Sequence, residues 1–365
     1  MSQVLRIYTD MRSVGEGKLK NLSPLFSFHW QGLAKEEILS GKFNESSPLR
    51  LTDDPSDANF FALPMHWSYY LWNGKAKMHE AFQIAGVAEK HGKKLIIWFK
   101  GDLVPIIPFR NSILFLPGAV RARLKENYRA CPVFIDDPEL TYGKAEARFR
   151  EKSERPLVGF CGYGSISAAK LGWSIAAGLY SNINQRFSRS NFTEIPIIPA
   201  TVIRNRAMKF LEDHSGIDTR FEIRTKHTAN QQQREPTEIS RSFYENIYGT
   251  DYTLCVRGFG NWSYRFYETL ACGRIPIFVD SDCVIPLEST IDWRRYCVWV
   301  DRRELSRIGE KVLDFHASLN PSEFVERQME CRKLWLDHLT PKGCSQNIRF
   351  YLENAISGTN GSNGN

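Results

Sequence analysis

The most informative segment of this chain is RGFGNWSYRFYETLACGRIPIF, Arg257–Phe278. Its pattern predicts the end of a strand, a glycine-containing turn, a short helix and a second strand. The helix is indicated by Phe266 and Leu270, which recur at i and i+4, and by Gly273, which is placed to end it. A helix that begins directly after a strand of a parallel sheet lies at the carboxyl edge of that sheet, where ligands bind in open α/β folds.

Two ionisable side chains on this helix indicate an anion-binding function. Arg265 falls in the first turn, and Glu268 follows three residues later on the same face. The first N–H groups of a helix are unpaired and favour phosphate. A guanidinium can clamp a diphosphate, and a carboxylate can accept hydrogen bonds from two sugar hydroxyls. The pair therefore predicts a grip on a nucleotide sugar, although an Arg-x-x-Glu pair also occurs commonly as a surface ion pair.

The composition is that of an ordinary globular protein. The chain has 365 residues, of which 42% are hydrophobic and 24% charged, and this length predicts two domains. The net charge of +7 suits phosphate-bearing or acidic ligands, but it is too diffuse to indicate nucleic acid. Aromatic residues make up 13% of the chain. Aromatic faces bind sugars in many proteins, yet they also fill cores, and composition alone favours the core.

The eight cysteines predict a reducing compartment. They include no C-x-x-C pair and no Cys/His cluster with zinc spacing, so we expect no metal site. The chain contains no run of 18 apolar residues, and a strand predicted from Val4 leaves no room for a signal peptide. We therefore expect a cytoplasmic protein without an integral membrane segment.

Strand and helix patterns alternate along the whole chain, which predicts parallel sheets with helices on both faces. Strand patterns lie at 4–8, 59–63 and 94–99, and the alternation restarts with a strand at 157–161. We therefore predict an α/β fold with two Rossmann-like domains and a ligand cleft between them. The predicted divisions are a first domain at 1–150, a second at 151–335, a terminal helix at 336–356 that can pack back on the first domain, and a disordered tail at 357–365.

Three segments of the chain resemble glycosyltransferase family 47, the exostosin-like glycosyltransferases. The first is LTDDPSDANFFALP at 51–64, and the second is RPLVGFCG at 155–162. The third and most specific is the carboxyl-terminal signature, which runs YTLCVRG from Tyr252, SYRFYETL from Ser263 and GRIPIFVD from Gly273. The segments follow the order in which the family has them.

The resemblance implies a GT-B fold, with the donor nucleotide on the second domain and the acceptor mostly on the first. It also implies an inverting, metal-independent transfer from a nucleotide sugar, and we expect a UDP-linked donor, a glycan or glycoconjugate acceptor and no separate cofactor. By the same resemblance, Arg265 would bind the donor diphosphate and Glu268 the ribose. The other donor-binding residues that we expect are Arg257, Gly258, Gly260, Asn261, Ser263 and Tyr264.

The catalytic base is expected on a loop of the first domain, and two residues fit equally well. Asp10 follows the first predicted strand and His66 follows the second, so both should lie at carboxyl strand ends. Histidine is suited to proton transfer near neutral pH, but His66 could also pack among the aromatic residues that follow it. Asp10 could instead cap a turn.

Two other function classes stay open. One is a non-catalytic carbohydrate-binding protein with the same fold. The other is a dinucleotide-dependent oxidoreductase, which the predicted turn Gly162-Tyr163-Gly164 after a strand would suit, although Ser167 stands where that fingerprint has its third glycine. Within the enzyme class, a GDP-fucose-type transferase is a further alternative. The sequence fixes neither the donor sugar nor the acceptor nor the oligomeric state.

Overall fold

The computed structural model divides the chain into two compact units. It describes residues 4–10, 14, 21–27, 48–142, 149–164, 168–187, 192, 198–224 and 238–353, and the predicted tail lies outside them. The first unit comprises Met1–Pro132, Val284–Leu287 and Thr340–Asn365, and the second comprises Val133–Cys283 and Glu288–Leu339. Residues 133–150, which the sequence analysis placed in the first domain, belong to the second unit.

The first unit is built on a six-stranded sheet. Its strands are β1 (Leu5–Tyr8), β2 (Leu49–Leu51), β3 (Phe60–Ala62), β4 (Leu95–Trp98), β5 (Ser112–Leu116) and β6 (Tyr128–Ala130). Their order across the sheet is β2-β1-β3-β4-β5-β6, and every neighbouring pair is parallel. Every residue of β4 and β5 is buried. A central strand of a covered parallel sheet is buried on both faces, which explains the unbroken apolar runs at these positions.

The second unit is built on a five-stranded parallel sheet. Its strands are β7 (Leu157–Tyr163), β8 (Asp218–Arg224), β9 (Tyr252–Cys255), β10 (Ile275–Asp280) and β11 (Val298–Asp301). They are arranged in the order β11-β10-β9-β7-β8, again with parallel neighbours throughout. Two parallel α/β sheets in one chain confirm the predicted α/β class with two Rossmann-like units.

Helices lie between the strands of both sheets and also follow the last strand, β11. They are α1 (Pro24–Ser27), α2 (Trp67–Trp72), α3 (Gly74–Lys90), α4 (Pro138–Tyr142), α5 (Ala168–Phe187), α6 (Ala200–Glu212), α7 (Glu238–Tyr248), α8 (Tyr264–Ala271), α9 (Ile308–Ala317), α10 (Pro321–Leu334), α11 (Pro341–Gln346) and α12 (Ile348–Glu353). Helices α11 and α12 lie where a single terminal helix was predicted. Helix α11 ends at Asn347, whose side-chain amide donates to the carbonyl oxygen of Gly343 at 2.8 Å and competes with the backbone hydrogen bonds of the helix.

Each sheet has a point at which its strand order reverses. In the first unit β1 lies between β2 and β3, and in the second β7 lies between β8 and β9. At such a point the crossover connections of neighbouring strands run in opposite directions. This opens a crevice at the carboxyl ends of the strands, which is the usual ligand site of an open α/β sheet. The topology alone therefore selects two places for ligand chemistry, after β1 and β3 and after β7 and β9.

Candidate functional site

Helix α8 begins at the carboxyl edge of the second sheet, as predicted. It follows β9 and packs its apolar stripe inward, because Phe266 and Leu270 are buried. Gly273 closes it with a φ of 59°, a left-handed conformation that glycine adopts without strain. The N-cap residue Ser263 makes no side-chain capping bond. The Ser263 side chain therefore does not occupy the amino end of α8, a position that suits an anion.

The Arg265 guanidinium reaches from α8 to the end of β7. Its Nη2 donates to the carbonyl oxygen of Cys161 at 2.7 Å, and its central carbon lies 4.1 Å from the centroid of the Phe160 ring. Its Nε is buried without a hydrogen-bond partner, and no carboxylate of the described residues forms an ion pair with it. Burial lowers the pKa of Arg265. A positive charge without a close ion-pair partner among the described residues therefore stands at the point of strand reversal, and the nearby carboxylate of Glu268 offsets it only in part.

Gly162 makes this approach possible. A Cβ atom at this position would lie 2.6 Å from Nη2 of Arg265, so a larger residue would displace the guanidinium. The predicted turn over Gly162 and Tyr163 is wrong, because β7 continues to Tyr163. Because Gly162 has no side chain, the Arg265 side chain can reach the end of β7. This role differs from that of a glycine in a dinucleotide-binding fingerprint, which lies in a turn next to the cofactor.

Arg204 joins the cluster from α6 and was missed in the sequence analysis. It donates to the carbonyl oxygens of Tyr163 and, at 3.5 Å, of Arg257. Burial, together with the nearby positive charges of Arg265 and Arg257, lowers its pKa to about 9. Arg204 lies about 60 positions before α8 in the chain, and only the fold brings α6 to this edge of the sheet. No local sequence pattern therefore identifies Arg204 as a site residue.

Arg257 holds the loop that precedes α8. Its Nη1 donates to the carbonyl oxygens of Gly258 at 3.0 Å and Phe259 at 3.4 Å, and its Nη2 donates to that of Ile198. Burial lowers its pKa to about 10, with a smaller contribution from Arg302. The guanidinium is therefore a third buried cation of the cluster, and its bonds fix the backbone of the glycine-containing turn.

Glu268 lies one helical turn after Arg265, half-buried on the same side of α8. Burial raises the pKa of its carboxyl to about 7, although the charge of Arg265 and a hydrogen bond from Tyr244 act in the opposite direction. Tyr244 comes from α7 and packs its ring 4.6 Å from that of Tyr142. The carboxyl therefore changes its ionisation state near neutral pH.

The remaining residues predicted for donor binding lie in the same loop. Asn261 is buried, and its Oδ1 accepts a hydrogen bond from Ser281 at 2.7 Å. Gly260 is buried, Gly258 and Ser263 are half-buried, and Tyr264 is exposed. The structure thus brings all eight predicted donor-site residues to one sheet edge and adds Arg204 to them.

The two candidate bases lie at the strand reversal of the first sheet. Thr9, directly after β1, donates from its hydroxyl to the carbonyl oxygen of Ala62 at the end of β3, at 2.7 Å. Asp10 is the next residue and is half-buried. His66 is buried and caps α2, because its Nδ1 accepts the backbone N–H of Tyr69 at 3.1 Å.

The environment of His66 favours a structural role. Burial lowers its pKa to about 4, and the charge of Lys100 acts in the same direction. The imidazole is therefore neutral at neutral pH, and the capping bond uses the lone pair of Nδ1, so that the ring proton lies on Nε2. An imidazole in this state has no free lone pair with which to accept a proton.

Three further observations concern membrane-spanning helices, the cysteines and metal binding. Within the described ranges no helix is long and apolar enough to cross a bilayer. All eight cysteines are buried free thiols. No group of three or more His, Cys, Asp or Glu side chains is arranged for a metal ion in the part of the chain that the structure describes.

The segment that contributes this cluster also matches a known family. Residues 202–314, which include Arg204, Arg257, Arg265 and Glu268, match the family model of the Exostosin GT47 domain. Over this segment the chain is similar to the exostosin family. Over 92 residues it is 30% identical to a probable glucuronosyltransferase 47 A of Physcomitrium patens, a match that covers 25% of this chain and 20% of that protein. Over 84 residues it is 33% identical to exostosin-1 of Drosophila melanogaster, covering 23% of this chain and 11% of the relative.

The chain thus spans a fifth or less of the length of these two relatives. Among solved structures, a glycosyltransferase from Rickettsia africae ESF-5 aligns with 97% of this chain and 99% of its own, at 9% identity and a TM-score of 0.38. Because this similarity is so low, the fold is assigned from the two parallel sheets of the chain itself.

Proposed function

We propose that this protein is an inverting glycosyltransferase that moves a sugar from a UDP-linked donor to a hydroxyl of a glycan or glycoconjugate. The observation that supports this most strongly is the cluster of Arg204, Arg257 and Arg265 at the carboxyl ends of β7 and β9, where no described carboxylate pairs with them. Burying like charges together is unfavourable in the free protein, and a diphosphate would neutralise them. We expect Glu268, one turn further along α8, to accept hydrogen bonds from the ribose.

The proposed reaction is a single displacement at the anomeric carbon. The acceptor oxygen forms a bond to that carbon while the bond to the diphosphate oxygen breaks, and a base takes the proton of the acceptor hydroxyl. Negative charge develops on the leaving diphosphate. The guanidinium of Arg265 and the N–H groups of α8 stabilise it without a metal ion. We assign the base to Asp10, because the lone pair of His66 Nδ1 is used in its helix cap.

A donor panel tests the function. We expect UDP, and at least one UDP-linked sugar, to raise the melting temperature of the protein, because a ligand that binds only the folded state at 100 times its Kd stabilises it by about 2.7 kcal/mol. UDP-glucuronate and UDP-xylose should head the panel, together with GDP-fucose and NADH. Stabilisation by NADH alone would contradict the proposal in favour of an oxidoreductase, and a UDP-sugar that binds without turnover would favour a carbohydrate-binding protein.

The ionisation of Glu268 predicts a pH dependence of donor binding. Its carboxyl is ionised above a pKa of about 7 and protonated below it. Since only the ionised form accepts hydrogen bonds from both ribose hydroxyls, affinity should fall by about tenfold when the pH is lowered from 8 to 6. Calorimetric titration with a UDP-sugar measures this, because its diphosphate has no terminal phosphate that titrates in the same range.

The matched control for this pH dependence is Glu268→Gln. The glutamine keeps one acceptor oxygen and does not titrate, so its UDP-sugar affinity should be weaker and flat between pH 6 and 8. A pH dependence that persists unchanged in Glu268→Gln would assign the titration to another group.

A further inference from the structure

The loop between β9 and α8, residues 258–263, presents an aromatic ring to solvent. Phe259 stands between two glycines and is 60% exposed. Tyr264, the first residue of α8, is 48% exposed, and the ring of Trp262 lies against it at 4.6 Å between centroids. Single exposed apolar residues are common on protein surfaces, so the exposure of Phe259 needs a second observation before it indicates a ligand.

That second observation is that the loop backbone is fixed. Arg257 donates to the carbonyl oxygens of Gly258 and Phe259, and the N–H of Gly258 donates to the carbonyl oxygen of Trp262 at 2.8 Å. A loop that is held by its own hydrogen bonds cannot bury the ring by collapsing. The Phe259 side chain is therefore held outward, next to the residues that form the candidate donor site.

Two hydrogen-bond donors of the same loop lack partners. Asn261 is only 7% exposed; its Oδ1 is bonded to Ser281, while its Nδ2 has no acceptor. Nε1 of Trp262 is likewise buried and without an acceptor. A buried donor that has no acceptor is unfavourable unless a ligand supplies one. Sugar hydroxyl oxygens are acceptors of this kind, and the axial C–H groups of a pyranose ring pack on an aromatic face.

We propose that residues 258–263 form a carbohydrate platform, on which Phe259 stacks against a pyranose ring and Asn261 donates to one of its hydroxyls. This rests on the proposed transferase function, since the platform adjoins the arginine cluster. The pyranose is either the sugar carried by the donor or the terminal sugar of the acceptor; both offer the same C–H face.

The test is kinetic analysis of Phe259→Ala and Phe259→Tyr, with Phe210→Ala as the control. Phe210 is a partly exposed phenylalanine on α6 of the same unit. Phe210→Ala therefore makes the same substitution as Phe259→Ala at a position outside the loop. We expect Phe259→Ala to raise one KM by about tenfold, and Phe259→Tyr, which keeps a ring, to restore it. A raised donor KM assigns the platform to the donor sugar, and a raised acceptor KM assigns it to the acceptor.

Binding of UDP alone separates this proposal from the proposed function. UDP carries no pyranose, so its affinity should be the same in Phe259→Ala and in the unmodified protein. If UDP binds equally and neither KM changes, the platform is wrong and the donor site stands. If UDP affinity falls together with the melting temperature, the ring has only a structural role and the platform is wrong. If the unmodified protein binds no UDP, the transferase function fails and the platform fails with it.

Discussion

Replacing Arg265 with alanine should reduce sugar transfer by about 10³-fold, the effect of removing one preorganised group that stabilises developing negative charge. The guanidinium stands at the end of β7, 2.7 Å from the carbonyl oxygen of Cys161, without an ion-pair partner among the described carboxylates. The loss should fall on UDP affinity as well as on turnover, since the diphosphate is present before and after the chemical step. Calorimetry with UDP and an initial-rate assay measure the two effects.

The same substitution should leave the fold intact. Arg265→Ala removes one hydrogen bond and the stacking on Phe160, and each contributes about 1 kcal/mol. It also removes a buried positive charge that lies close enough to Arg204 to lower the pKa of that residue. The two effects oppose each other, so the melting temperature of the free protein should change little. A structural arginine would behave differently, because its loss would leave an unpaired buried carboxylate.

The matched control for Arg265→Ala is Arg206→Ala. Arg206 is exposed on α6, two residues from Arg204, so its removal changes net charge by the same amount without touching the cluster. Transfer should be unaffected. An Arg265→Ala protein that retains activity, or that loses activity only because it unfolds, would remove the central support of the proposed function.

The sequence predicted much of the second sheet and its site because the determinants there are local. The helix of the signature, its inward stripe at Phe266 and Leu270 and its closing glycine all lie within ten residues of one another, and each follows from helix periodicity or capping. The strands β2, β6 and β11 were not predicted. They have only three or four residues each, and a run this short carries no readable period.

The parts of the site that sequence analysis missed are set by contacts between distant segments. Arg204 reaches the cluster from α6, and Gly162 matters because Arg265 approaches it from a helix about 100 residues later.

Asp282 and Leu287, just after β10, have φ values of 67° and 56°, although neither is glycine. Aspartate adopts left-handed backbone more readily than most residues, but a leucine does so only where the surrounding fold imposes it, so no propensity of Leu287 predicts its conformation.

The two candidate bases can be separated by a pair of conservative substitutions, Asp10→Asn and His66→Asn. Asp10→Asn keeps the shape of the side chain and removes its ability to accept a proton, so transfer should fall by about 10²–10⁴-fold. Asparagine is a good N-cap residue, so His66→Asn should keep both the cap of α2 and most of the activity. UDP affinity should be unchanged in both variants, because the arginine cluster belongs entirely to the second unit.

His66→Ala completes the comparison, because alanine supplies no cap and should destabilise the protein by about 1 kcal/mol. Loss of transfer in both His66 variants, with the melting temperature of His66→Asn unchanged and Asp10→Asn fully active, would assign the base to the histidine. That outcome would require the Nδ1 bond to Tyr69 to open during the reaction, since an imidazole cannot accept a proton on a nitrogen whose lone pair is already used. The capping geometry therefore favours the carboxylate, and these variants decide between the two.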